Sequence, residues 1–170
     1  MLIFRDFKYE KQQCTDWHQH SCGQLYYPLT GTMMTETHTE KWLVTPGTMA
    51  WFPSGTVHRS TSGSQVSGIN IYFQTTDKLC CPEIPHLFRA GTFIPGILER
   101  LRDNSNQQYC QLALALLAHE ITAAPPLPHH IVLPEDRRAR AVAMFIIAHP
   151  DSCLTRTELA EQQGLSERTL

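Results

Sequence analysis

The chain has 170 residues, 42% of them hydrophobic and 18% charged, and a formal net charge of −2, the profile of a globular protein with room for one ordinary domain and part of another. No apolar run has the length of a membrane span, and Met1-Leu2-Ile3-Phe4-Arg5-Asp6 lacks the apolar core and cleavage site of an export signal, which argues against membrane insertion and secretion and for a cytoplasmic location. The charge balance decides nothing about nucleic acid, because a DNA-binding face needs only a local basic surface.

Five short β-type runs come first, at 24–27, 31–35, 40–44, 48–52 and 68–73, with the rhythm of a sandwich or barrel. Pro28, Pro46-Gly47 and Pro53-Ser54-Gly55 punctuate them. From Phe93 the period becomes helical, over 93–102 and then 107–121, where Tyr109, Leu112, Ala113, Leu116 and Leu117 share one side. Ala123-Ala124-Pro125-Pro126-Leu127-Pro128 is a stiff linker that Pro134 closes, and two further helices are expected at 135–148 and 155–163. Strands followed by helices predict an α+β chain: a barrel over 1–78, a helical segment over 79–123, a linker over 124–134 and a helical domain from 135.

Cys14, Cys22, Cys80, Cys81, Cys110 and Cys153 form no CxxC pair and read as thiols of a reducing compartment. The adjacent Cys80-Cys81 also read as thiols, since a vicinal disulfide is strained, and Cys22 reads as a buried inert one. Trp17, Tyr26, Tyr27, Trp42, Trp51 and Phe52 are expected in the core or lining a pocket, with Tyr26 and Trp51 the candidate effector-pocket residues. His38, His86, His119, His129, His130 and His149 lack mutual ligand spacing and read as surface or helix-end residues.

The chemistry concentrates between Trp17 and His58. His18 and His20 alternate as inward neighbours on one strand would, Gln24 follows, and His58 comes after the Pro53–Gly55 turn. Three imidazoles and an amide oxygen are a plausible sphere for a divalent transition metal such as Zn, Ni, Fe or Mn. His18-x-His20-x3-Gln24-x6-Gly31 and Gly47-x5-Pro53-x-Gly55-x2-His58 resemble the two motifs of the cupin superfamily. Gln24 stands where that family usually has glutamate, and Ser62 where an asparagine often trails the second motif. The amide keeps an oxygen donor but removes a negative charge, so two readings stand: a weaker metal site, or a metal-free small-molecule pocket.

The last stretch carries a different signal. Thr155-Arg156-Thr157-Glu158 has the pattern of a capping box, Gly164 suits a tight helix–helix corner, Leu165 fills it, and Ser166 can cap a second helix. Ala160-x3-Gly164-x-Ser166 is the spacing of a helix-turn-helix. With the barrel, the helix pair and the linker before it, the chain resembles the AraC family of bacterial transcription regulators, cut short within the DNA-binding domain. The resemblance implies a homodimer formed through the 93–122 helices, a small-molecule effector, promoter DNA as the partner of a full-length parent and only poor DNA binding by the shortened chain, and no catalysis. Ser166, Glu167, Arg168 and Thr169 would open the recognition helix. The alternative is a metal-dependent cupin enzyme, an oxygenase or isomerase.

Overall fold

The computed structural model describes residues 2–38, 40–73, 81–127, 134, 136–149 and 152–170. It is a mixed α+β chain of two compact units, 1–130 and 131–170.

In the first unit, β1 (Leu2–Tyr9), β7 (Val66–Phe73), β2 (Gly23–Thr30), β5 (Thr48–Phe52) and β8 (His86–Arg89) form one antiparallel sheet in that order, and β4 (Lys41–Val44), β3 (Met33–Thr37) and β6 (His58–Ser62) form a second. The middle of the five-stranded sheet is covered on both faces, which is why β5 is buried throughout and does not alternate. Its inner face gives Tyr26, Ala50, Phe52, Val66 and Leu87 to a core shared with Met33, Trp42 and Val44 of the smaller sheet. Its outer face gives Leu25, Met49, Trp51, Ile71, Phe73 and Phe88 to a second core, completed by Ile94, Ile97, Leu98 and Leu101 of α1 (Phe93–Arg102) and Leu114, Leu117 and Ile121 of α2 (Gln107–Ala123).

Strand periodicity corrects one expectation. Residues 50 and 52 face the inner core and 49 and 51 the outer one, so Trp51 lies under the helices, its indole N–H donating to the Pro82 carbonyl (2.9 Å). It does not line the pocket that Tyr26 lines. Trp17 is not in a core either: it is 41% exposed, stacked on His38 with the Arg59 guanidinium over its ring. His86 is more enclosed than a surface residue, lying on β8 with its ring against Phe88. The sheet also runs past residue 78, since β8 pairs with β5 inside the stretch read as helical.

The proline segment begins against the first unit, with Leu127 N–H donating to Leu87 O (2.7 Å). The rest of the expected linker through 133, with His129 and His130, lies outside the described residues, as does Cys80. The second unit holds α3 (Arg137–Ala148) and α4 (Arg156–Gln162) around Val142, Leu159, Ala160 and Leu165. Asp136 caps α3 by accepting from the Arg138 and Ala139 amides. Among the described residues, no helix is long and apolar enough to cross a membrane.

Candidate functional site

His18 and His58 are joined by an isolated antiparallel bridge, each amide donating to the other's carbonyl (3.0 and 2.9 Å). His58 opens β6, whereas His18 and His20 lie on the extended approach to β2 rather than within a ladder. The alternation expected of them survives, since Gln19 is exposed between two half-buried rings. The turn after β5 fixes the second contact: Gly55, at φ 80°, donates its N–H to His20 O (2.8 Å). Glycine adopts that left-handed conformation at little cost.

The ring centroids lie 5.0 Å apart for His18–His20, 4.4 Å for His18–His58 and 5.5 Å for His20–His58. One nitrogen from each ring falls within 4.8 Å of the others. Backbone carbonyls set the tautomers of two rings. His18 Nδ1–H donates to Asp16 O (2.8 Å) and His58 Nδ1–H to Thr56 O (2.9 Å), which leaves each Nε2 with a free lone pair. Phe52 stacks on the His58 ring at 4.3 Å. Burial is the main reason that His58 is held down at about 4, with the His18 and His20 charges adding to it. Burial also lowers His20, with help from His18 and against a side-chain hydrogen bond with Gln24. Neutral imidazoles at pH 7 are the ligand-competent form.

Gln24 and Tyr26, 5% and 4% exposed, enter from β2. The Gln24 amide donates from Nε2 to Asn70 Oδ1 (2.9 Å). Gln24 Oε1, His20 Nε2 and the Tyr26 hydroxyl are buried with no protein partner. Buried polar atoms are ordinarily paired, and orphans are costly. A buried amide oxygen beside three clustered imidazoles fits a bound cation, so the residues present suit a divalent transition metal. His18, His20 and His58 would hold it through nitrogen and Gln24 through oxygen. The surrounding pocket is about 70 Å³ and also admits Tyr9, Thr15, Ser60, Asn70 and Tyr72. At roughly 30 Å³ per water molecule, it has room for an ion and a small polar group. Burial pushes the Tyr26 and Tyr72 phenols up, keeping them protonated donors.

Sequence reasoning named the three histidines, Gln24 and Tyr26, and the fold brings all five to this pocket. It missed Asn70 and Tyr72. The available signal was the alternation Val66-x-Gly68-x-Asn70-x-Tyr72, which puts both on the inner face of β7. Cys22 is half-buried, and burial raises its thiol. Ser62, in the asparagine position, is a buried anchor whose hydroxyl donates to the Glu10 carbonyl and accepts from the Gln13 amide.

The helix-turn-helix spacing is realised in the second unit. Thr155 and Glu158 form a reciprocal capping box, Gly164 turns the chain at φ 64°, and Leu165 N–H returns to Ala160 O (2.9 Å). Arg138 reaches Gly164 O (3.1 Å) and braces the corner. The expected second helix is a single turn here: Thr169 N–H donates to Ser166 O (2.9 Å), and the Ser166 hydroxyl meets Thr169 Oγ1 rather than a backbone amide. Arg168 and Thr169 are exposed. Glu167, also exposed, is tied to α4, its carboxylate accepting from Thr157 (3.1 Å) and its carbonyl from Arg156.

No protein-family profile and no curated protein matches the sequence. Among solved structures, ToxT from Vibrio cholerae aligns over 97% of this chain and 72% of its own, at 6% identity and a TM-score of 0.54. ToxT with an unsaturated fatty acid bound aligns over 99% and 71%, again at 6% identity, with a TM-score of 0.52. A cupin superfamily protein from Desulfitobacterium hafniense aligns over 42% of this chain, at 14% identity and a TM-score of 0.41. A conserved protein from Streptococcus pyogenes aligns over 43%, at 18% identity and the same score. The chain spans 64 to 66% of the length of those last two. The likeness to ToxT is one of fold.

Proposed function

We propose that the chain is a transcription regulator whose cupin-like pocket senses a small molecule, with a divalent transition metal held by His18, His20, Gln24 and His58 as part of the sensor. The observation that carries this reading is the helix-turn-helix corner of α3, α4 and Gly164 in the same chain as the three-histidine pocket. The corner has the features that place a helix in a major groove: a capped first helix, a glycine turn and an exposed segment beginning at Ser166. Ser166, Arg168 and Thr169 belong to the DNA-facing segment. Glu167 serves the corner as well, through its bonds to Thr157 and Arg156. The chain-long fold likeness to ToxT, which has been solved with a small molecule bound, supports an effector for this pocket. Signalling requires the effector to bind two arrangements of the protein with different affinities.

A homodimer belongs to the same reading. Phe93 of α1 and Leu112 and Leu116 of α2 stand 53, 67 and 42% exposed along one apolar groove, and a second copy of this surface would cover them.

A metal-dependent cupin enzyme is favoured by the orphaned His20 and Gln24 atoms alone. It leaves the second unit without a task, so we place catalysis second. Immunoprecipitation of the tagged protein, expressed from its own locus, followed by sequencing of the bound DNA, separates the two. A few promoter-proximal fragments enriched over an untagged control are expected. No enrichment with or without added metal would overturn the regulator reading and leave the enzyme.

A further inference from the structure

We propose that Asn70 is the positioning residue of the metal pocket: it turns the Gln24 carboxamide so that the oxygen, and not the NH2 group, faces the three histidines. The inference rests on the metal-holding reading of that cluster. A carboxamide presents an acceptor and a donor of almost the same shape, and only the oxygen can serve a cation. A glutamate needs no such choice, because both of its oxygens accept. The substitution that distinguishes this chain from the usual cupin pattern therefore creates a problem of orientation.

Asn70 solves it by geometry. On the β2–β7 ladder, Tyr26 lies opposite Asn70 and Gln24 opposite Tyr72, so Gln24 and Asn70 are diagonal neighbours on the inner face, within reach of long side chains. Asn70 Oδ1 accepts from Gln24 Nε2 at 2.9 Å. With the NH2 group held there, Oε1 is buried on the side of His20, with which the Gln24 side chain interacts. The reversed amide would turn its NH2 group toward the histidines and set Oε1 against Asn70 Oδ1, acceptor against acceptor. The observed orientation keeps the Gln24 oxygen on the side of the histidines.

Co²⁺ is the probe, its affinity measured by competition with a chromogenic chelator and its ligand sphere by visible absorption. Asn70→Leu should weaken binding by about tenfold, the lower end for an outer-shell partner, and alter the absorption bands. Asn70→Asp, which can only accept, should keep the native bands. In a Gln24→Glu background, Asn70→Leu should change little, because the facing atom no longer depends on it. Native affinity and bands in Asn70→Leu would overturn the proposal, as would an equal loss in both backgrounds, which a purely structural role produces. Failure of the native protein to bind Co²⁺ would overturn the metal reading and this inference together. Binding that ignores Asn70 would overturn this inference alone.

Discussion

At the scale of single residues, the histidine cluster makes the protein pH-sensitive in a defined direction. His58 titrates near 4 in the fold against 6.5 for the ordinary side chain, so the neutral ring is the one the fold accommodates. Above pH 6.5 folded and unfolded chains are both neutral at this position and its contribution is constant. As pH falls from 6.5 toward 4 the unfolded chain takes the proton first, and stability is lost, by about 3 kcal/mol at most. The lowered His20 acts in the same sense. The urea midpoint of metal-stripped protein should therefore fall across that window, and His58→Gln should flatten the curve. A native midpoint that stays level from pH 6.5 to 4 would show that His58 is not held neutral. Metal-loaded protein should lose stability more steeply, since protons compete with the ion for the same nitrogens.

The same residue scale shows what a sequence discloses about a site. His18, His20 and His58 were legible because the ligand type is rare and the Pro53–Gly55 turn lies at fixed spacing from the third. Asn70 was not, because it reaches Gln24 across a ladder whose register is set by the whole sheet. Trp51 was misplaced for a related reason: in a strand buried on both faces, residues 49 to 52 are all apolar and nothing local says which face is the pocket.

At the scale of elements, β5 and α1 coincide with the runs read from the sequence, β6 was anticipated only as the strand that carries His58, and β1 and β8 were missed. Arg5, Asp6 and Lys8 break the apolar pattern of β1, an edge strand that is only half-buried. In β6, residues 58 to 62 are all polar, with His58 and Ser62 buried as site and anchor. The helix-turn-helix corner was legible because caps and turn glycines act locally. That locality predicts a separable effect. Thr155→Ala removes a capping box and should cost about 1 kcal/mol; Gly164→Ala forces a Cβ into a left-handed position at a cost of about 1–2 kcal/mol. All three tryptophans, Trp17, Trp42 and Trp51, lie in the first unit, and the core beneath the corner draws on second-unit residues. Both variants should move the part of the helical circular-dichroism signal that α3 and α4 contribute to a midpoint several degrees lower, and leave in place the tryptophan fluorescence midpoint and the part that α1 and α2 contribute. Parallel shifts in both signals would mean that the two units unfold as one.

At the scale of the whole molecule, the α1–α2 surface is the feature the fold leaves unexplained in a single chain. The inner residues of α2, Leu114, Leu117 and Ile121, are consumed by the sheet, yet Leu112 and Leu116 point away from it, next to Phe93 and Arg100. Replacing Leu112 and Leu116 together with Lys tests the dimer without disturbing the core, because both are exposed. Lysine is the better choice than glutamate: an acidic group could pair with Arg100 and mask the effect, whereas a second cation cannot. Burying two such charges against another copy without partners is strongly unfavourable. Light scattering should report two chains for the native protein and one, 19.3 kDa, for the variant, with unchanged thermal unfolding of the isolated chain's core. If the variant remains dimeric and folded, the interface lies elsewhere. If the native protein is monomeric at every concentration, the homodimer is wrong, and a regulator built this way would have to read DNA as a single copy.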